Sequence, residues 1–199
     1  MKQSSLESPK TATTLCYQGV VPVEWEQLTL PVDSALRQRY EHDNTVLLQG
    51  LLVVDEQPPI EHEEELSAFG QELQRIDHKL NLILELLTQT LRSWRKLPAP
   101  VPVELSVERV SWRAEEILPA GKQVMVKLYL SPIFPNPFVV TGAVVSGQEE
   151  KDGAWVSIHI DSLGAQVQDA LEKLVFRQHR RDVARARLRR QTGEEGGVS

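Results

Sequence analysis

The stretch Arg75-Ile-Asp-His-Lys-Leu-Asn-Leu-Ile-Leu-Glu-Leu-Leu87 decides how the rest of the chain is read. Its apolar residues do not alternate. They extend outward into a series at Leu66, Phe69, Leu73, Ile76, Leu80, Ile83, Leu87, Trp94 and Leu97, with Thr90 at the one polar step. The steps are three, four, three, four throughout, which is the heptad spacing of a helix that lays one seam against copies of itself. No proline interrupts Glu61 to Leu97, whereas Gln57-Pro58-Pro59 and Pro98-Ala-Pro100 bound it. At 1.5 Å per residue such a helix is a rod of roughly 55 Å. It is expected to protrude from any small domain or to find its own copies.

In the central heptads Leu73, Leu80 and Leu87 fall at a, and Ile76 and Ile83 at d. In parallel coils leucine at a with isoleucine at d favours four strands over two. Leu84 and Leu91 at e and Leu86 at g widen the apolar face beyond what a dimer covers. A parallel homotetramer is therefore expected.

Outside the rod the period changes. Tyr17 to Leu28 alternates irregularly around Pro22 and is read as an edge strand. Asp33 or Ser34 can cap a first helix that continues to Val54. After Pro100 a period of two predicts strands over Val103 to Trp112, Gln123 to Leu130, Phe138 to Ser146 and Ala154 to Ile160. Pro119-Ala-Gly121, the loop of Pro132, Pro135 and Pro137, and Asp152-Gly153 supply turns between them, and short strands so joined suggest a small barrel. A last helix, capped by Asp161 or Ser162, is predicted to about Leu188. Four units follow: 1–57, an arm, strand and helix packing on the barrel; 58–97, the oligomerisation helix; 98–192, barrel and final helix; 193–199, a disordered tail.

Composition narrows the function classes. The chain has 199 residues and a formal net charge of -6. The single cysteine, Cys16, excludes an intrachain disulfide and a multi-thiolate metal site, and fits a reducing cytoplasm. No apolar run reaches the roughly 20 residues of a membrane span. His42, His62, His78 and His179 are scattered without metal-ligand spacing, and His159 alternates with Val156, Ile158 and Ile160, which points it away from a barrel core. No Walker loop, nucleophile elbow or dinucleotide fingerprint is present. No enzyme class has a foothold, and no cofactor is expected.

Charge is unevenly placed: Asp55 to Glu72 holds seven acidic residues and no lysine or arginine, whereas Lys173 to Arg190 is rich in arginine. Arg177, Arg181, Arg185 and Arg189 recur at i+4, and like charges at that spacing repel by a few tenths of a kcal/mol per pair. An anion facing Arg177, Arg181 and Arg185 would offset this. A cyclic dinucleotide, a nucleic acid, an acidic partner protein or the chain's own acidic segment all fit, as does a solvated helix end whose cations suit the helix dipole.

Three stretches together, Arg75 to Leu87, Leu105-Ser106 to Trp112, and Phe176-Arg-Gln-His-Arg-Arg181, resemble the atypical, tetramer-forming branch of the PilZ family in order and spacing. The resemblance implies an α+β fold, a six-stranded antiparallel PilZ-type barrel with added helices, in a bacterial family associated with cyclic di-GMP signalling. In standard PilZ domains an R-x-x-x-R motif before the barrel and a D/N-x-S-x-x-G motif hold that ligand. Here Glu104-Leu-Ser106-Val-Glu-Arg109 keeps the serine, but has glutamate at the first position and arginine in place of glycine. Arg92-Ser-Trp-Arg95 is one residue short, and Arg109-Val-Ser-Trp-Arg113 has the spacing but follows the serine. Ser106, Arg109 and Arg113 are the remaining candidates for contact with cyclic di-GMP. The expected role is an oligomeric adaptor that binds another signalling protein. A cyclic di-GMP receptor using non-standard arginines is the first alternative, and a nucleic-acid-binding protein the second.

Overall fold

The computed structural model describes residues 15–54, 68–94, 97–132, 134, 136–150 and 153–194. Nine elements follow in order: β1 (Tyr17–Gln27), α1 (Ser34–Val54), α2 (Ala68–Trp94), β2 (Pro100–Leu105), β3 (Arg109–Ala114), β4 (Gln123–Leu128), β5 (Phe138–Glu150), β6 (Gly153–Ile160) and α3 (Ala165–Glu194). The strands close into an antiparallel barrel in the order β1-β2-β3-β6-β5-β4. The expected class, a six-stranded barrel with flanking helices, is what the chain adopts.

Inward residues alternate as the sequence predicts. Val110, Trp112, Val126, Leu128, Val156 and Ile158 are at most 1% exposed, and Leu48 of α1 and Leu171 of α3 join the same core. Fully burying such side chains stabilises by roughly 1.5–3 kcal/mol each. This core is what aligns the outer faces.

Several expectations need correction. β1 is no edge strand: Tyr17 to Pro22 pairs with β2 and Val23 to Gln27 with β4. Pro22, which lacks an N–H, stands where the strand changes partner. The barrel therefore takes its first strand from ahead of both helices and is not confined to 98–192. The single strand expected over Val103 to Trp112 is two, β2 and β3, because the chain reverses at residues 106–108. Ser106 N–H donates to the Arg109 carbonyl at 2.8 Å, and the Arg109 N–H returns to Ser106 Oγ at 3.1 Å. The turn at Pro119 is as expected: Lys122 N–H reaches the Pro119 carbonyl at 3.3 Å and Gly121 adopts a φ of 81°, which favours glycine.

α3 starts later and ends later than expected, so the 193 boundary falls inside it. Asp161 cannot open the helix because β5 holds it: its N–H donates to the Thr141 carbonyl at 2.8 Å and its carboxylate accepts from Thr141 Oγ1 at 2.7 Å. Gly164 takes the capping place, its carbonyl accepting from Gln168 N–H at 3.0 Å. A side chain there would meet the Glu41 carboxylate of α1 at 2.8 Å. That carboxylate lies against the positive end of α3, a favourable arrangement. Further along, Arg177 Nη1 donates to the Leu52 carbonyl at 2.8 Å. The two contacts, Glu41 with Gly164 and Leu52 with Arg177, show that α1 and α3 run side by side in the same direction.

Asp33 caps α1 as expected, its carbonyl accepting from Arg37 N–H at 2.9 Å. The heptad helix is present as α2 from Ala68 to Trp94, but Leu97, expected at its last core position, lies beyond it in the irregular segment that leads to β2. Leu66 and the segment 61–67 lie outside the described residues. No helix among the described residues is long and apolar enough to cross a membrane.

Candidate functional site

Two surfaces carry chemistry beyond folding. The first is α2. Leu73, Ile76, Leu80 and Ile83 are 54%, 50%, 53% and 59% exposed, and Leu82 and Leu86 are comparably bare. Leu82, Leu86, Ile83 and Leu80 occupy heptad positions c, g, d and a, so the apolar arc is wider than an a/d seam. The polar side is satisfied locally: Arg75 reaches Glu72 at 3.6 Å and Asn81 donates to Asp77 at 3.3 Å. Among the described residues, α1, α3 and the barrel share their principal contacts with one another, and none of these contacts covers this face of α2. An apolar face of that length in water marks an association surface.

The second is the outer face of β3 and β6. Register sets Arg109 opposite His159, Ser111 opposite Ser157, and Arg113 opposite Trp155. Because Val110, Trp112, Val156 and Ile158 point into the core, these six residues lie on the outside. Arg109 and His159 are exposed, while Arg113 and Trp155 are half-buried. Between them Ser111 and Ser157 are buried, their hydroxyl oxygens 2.8 Å apart, so each satisfies the other. The face thus offers two guanidiniums on one strand and an indole and an imidazole on the next. Guanidiniums and aromatic planes are the groups that hold phosphates and stack bases. The outward direction of His159 agrees with its sequence pattern.

The sequence-derived candidates divide. Ser106 sits in the β2–β3 turn bonded to Arg109 at the start of β3, and Arg113 lies four residues further along that strand. The Ser106 hydroxyl also donates to the Arg109 carbonyl at 3.3 Å, so it serves the turn. Arg177 is half-buried against α1, Arg181 is half-buried one turn on, and Arg185 is exposed. Helical spacing explains the gradient, since this row continues the side of α3 that carries Leu174 toward the core. Trp155 and Ser157 were missed as partners of the arginines because pairing of β3 with β6 is a register fact that no local pattern encodes.

Groups able to do covalent chemistry are scarce. Burial foremost, then the Glu104 carboxylate, push the Cys16 thiol above its ordinary pKa, opposite to what a nucleophile requires. No cluster able to hold a metal ion occurs among the described residues.

A family model described as "Atypical PilZ domain, cyclic di-GMP receptor" matches residues 48–189. Among solved structures, a pathogenic protein from Xanthomonas campestris is similar, with a TM-score of 0.69 and 27% identity over 87% of this chain and 93% of that one. It is described as a new tetrameric PilZ domain self-assembled via an unusual helical bundle. No curated protein matches the chain. With most of its length matched by the family model, and with the six-stranded barrel and added helices that go with it, the chain belongs to the atypical PilZ domain family.

Proposed function

We propose that this protein is a non-enzymatic, self-associating signalling module of the cyclic di-GMP pathway, acting in the cytoplasm, in which α2 gathers four chains into a parallel bundle and the barrels present binding surfaces to another signalling protein. The observation that carries it is the uncovered leucine and isoleucine arc of α2. The similar Xanthomonas campestris protein, tetrameric through a helical bundle, supports the same reading. Burying the exposed half of four such side chains contributes roughly 3–6 kcal/mol per copy, a gain that every copy in the bundle adds against the cost of association. Replacing Leu80 and Ile83 together with glutamate tests it: a single-chain mass with barrel unfolding intact supports the reading, and an unchanged mass contradicts it.

A second reading has its own observation, the Arg109, Arg113, Trp155 and His159 face. It could hold cyclic di-GMP although both standard motifs are degenerate. Titration calorimetry separates the two: micromolar binding that Arg109→Ala abolishes would make the protein a receptor, and no heat of binding leaves it an adaptor.

A further inference from the structure

The barrel is closed, but its strand pairing thins at one place. β1 pairs only with β4 beyond Pro22, β3 pairs only with β6 beyond Trp112, and β2 between them starts at Pro100 with Pro102 two residues on, neither having an N–H to give a neighbour. Beside it lies a groove of about 410 Å³ lined by Val23, Trp25, Val101 and Arg113, with the buried Trp112 beneath. Its lip carries Glu115 and Glu116, both exposed. Trp25 is 40% exposed, and the Trp112 indole N–H has no acceptor among the described residues. With Trp25 exposed, and two exposed glutamates outnumbering the half-buried Arg113, the groove suits an apolar partner carrying cations.

α3 has such a surface. Past Arg177 it runs from Gln178 to Glu194, roughly 25 Å beyond the end of α1. On the side opposite its packed face, Phe176, Arg180, Val183 and Arg187 follow at i, i+4, i+7 and i+11, one stripe along the helix. Phe176 is 53% exposed, with the Arg180 guanidinium 6.0 Å from its ring centre, and Val183 is exposed as well. The order apolar, cationic, apolar, cationic complements the groove. Within one chain the two do not meet among the described residues: none of α3 lines the groove, and Glu41 and Arg177 pin the helix elsewhere.

We infer that the groove of one copy receives the Phe176 to Arg187 stripe of a second copy, Phe176 and Val183 resting on Trp25, Val23 and Val101 and Arg180 and Arg187 against Glu115 and Glu116. The contact joins unlike surfaces, so repeated around a rotation axis it closes a ring in which each copy serves the next. The number of copies in that ring rests on the proposed tetramer, whereas the contact does not.

The test co-expresses two full-length chains. One carries Arg180→Lys and Arg187→Lys together with Glu115→Gln and Glu116→Gln; the other is unchanged. A zero-length carbodiimide joins lysine only to a touching carboxylate, so a link from position 180 or 187 to Glu115 or Glu116 can arise only between copies. Lys173 and Asp169, 2.6 Å apart within α3, supply the internal control. The expected result is the inter-copy link, severalfold weaker in high salt. The control link without any link to the lip would overturn the inference. Molar mass measured on the same sample reports the bundle separately: a tetramer lacking the link refutes the groove contact alone, and a link in the absence of a tetramer refutes the bundle alone.

Discussion

Asn44→Ala is expected to lower stability by roughly 2–4 kcal/mol, because the Asn44 amide bonds both the N–H and the carbonyl of Val139, at 2.8 and 2.7 Å, inside the seam between α1 and β5. Removing it leaves two buried backbone groups without partners at about 1–3 kcal/mol each. A denaturant midpoint shift at unchanged slope would show it; a loss under 0.5 kcal/mol would mean that water replaces the amide. Asn44 lies in an otherwise ordinary helical stretch, and its partner is 95 residues away. Nothing local could announce it. Ser106 was legible as a candidate, but which of its bonds it makes depends on a reversal that the surrounding period-two pattern hides. At the same scale, the Cys16 thiol, raised by burial and by Glu104, has a smaller thiolate fraction at pH 8 than a free cysteine. Alkylation at pH 8 is expected to be slower than for the unfolded chain and to accelerate above the ordinary thiol range. Equal rates in the two states would contradict this.

Among elements, α3 separates cations that look equivalent in sequence. Arg177 closes the end of α1 through the Leu52 carbonyl, whereas Arg185 is exposed. Arg177→Glu is therefore expected to cost about 1–2 kcal/mol, and Arg185→Glu less than about 0.5 kcal/mol. Equal thermal shifts would show that the bond to Leu52 contributes nothing. The i+4 spacing was readable at once, but not the direction of the row, because that depends on α1 lying parallel to α3. α2 was the most legible element, since a heptad repeat is a statement about periodicity alone and needs no knowledge of the rest of the fold. The strands were readable as a barrel from their alternation and turns. β1 misled because proline usually marks an edge, while here it marks the residue at which a strand passes from one neighbour to another.

For the whole molecule, the barrel, α1 and α3 share one core, and among the described residues the apolar arc of α2 lies outside that core and is exposed. The two parts should respond independently: changes to α2 alter assembly, and changes to the core alter folding. The alkaline limb is expected to belong to the folded body. Tyr17, buried and then facing Asp182, has its hydroxyl raised above the ordinary tyrosine range. A group whose pKa is higher folded than unfolded gives stability that is fully present below the unfolded value and lost as pH climbs past it, so the decline begins near pH 10. The most direct test of the account is the molar mass of the unaltered chain by light scattering over a wide concentration range. Four times the 22.5 kDa chain mass, constant on dilution, is the expected result. A mass of one chain at every concentration would show that the arc of α2 does not associate, and would contradict the account at its centre.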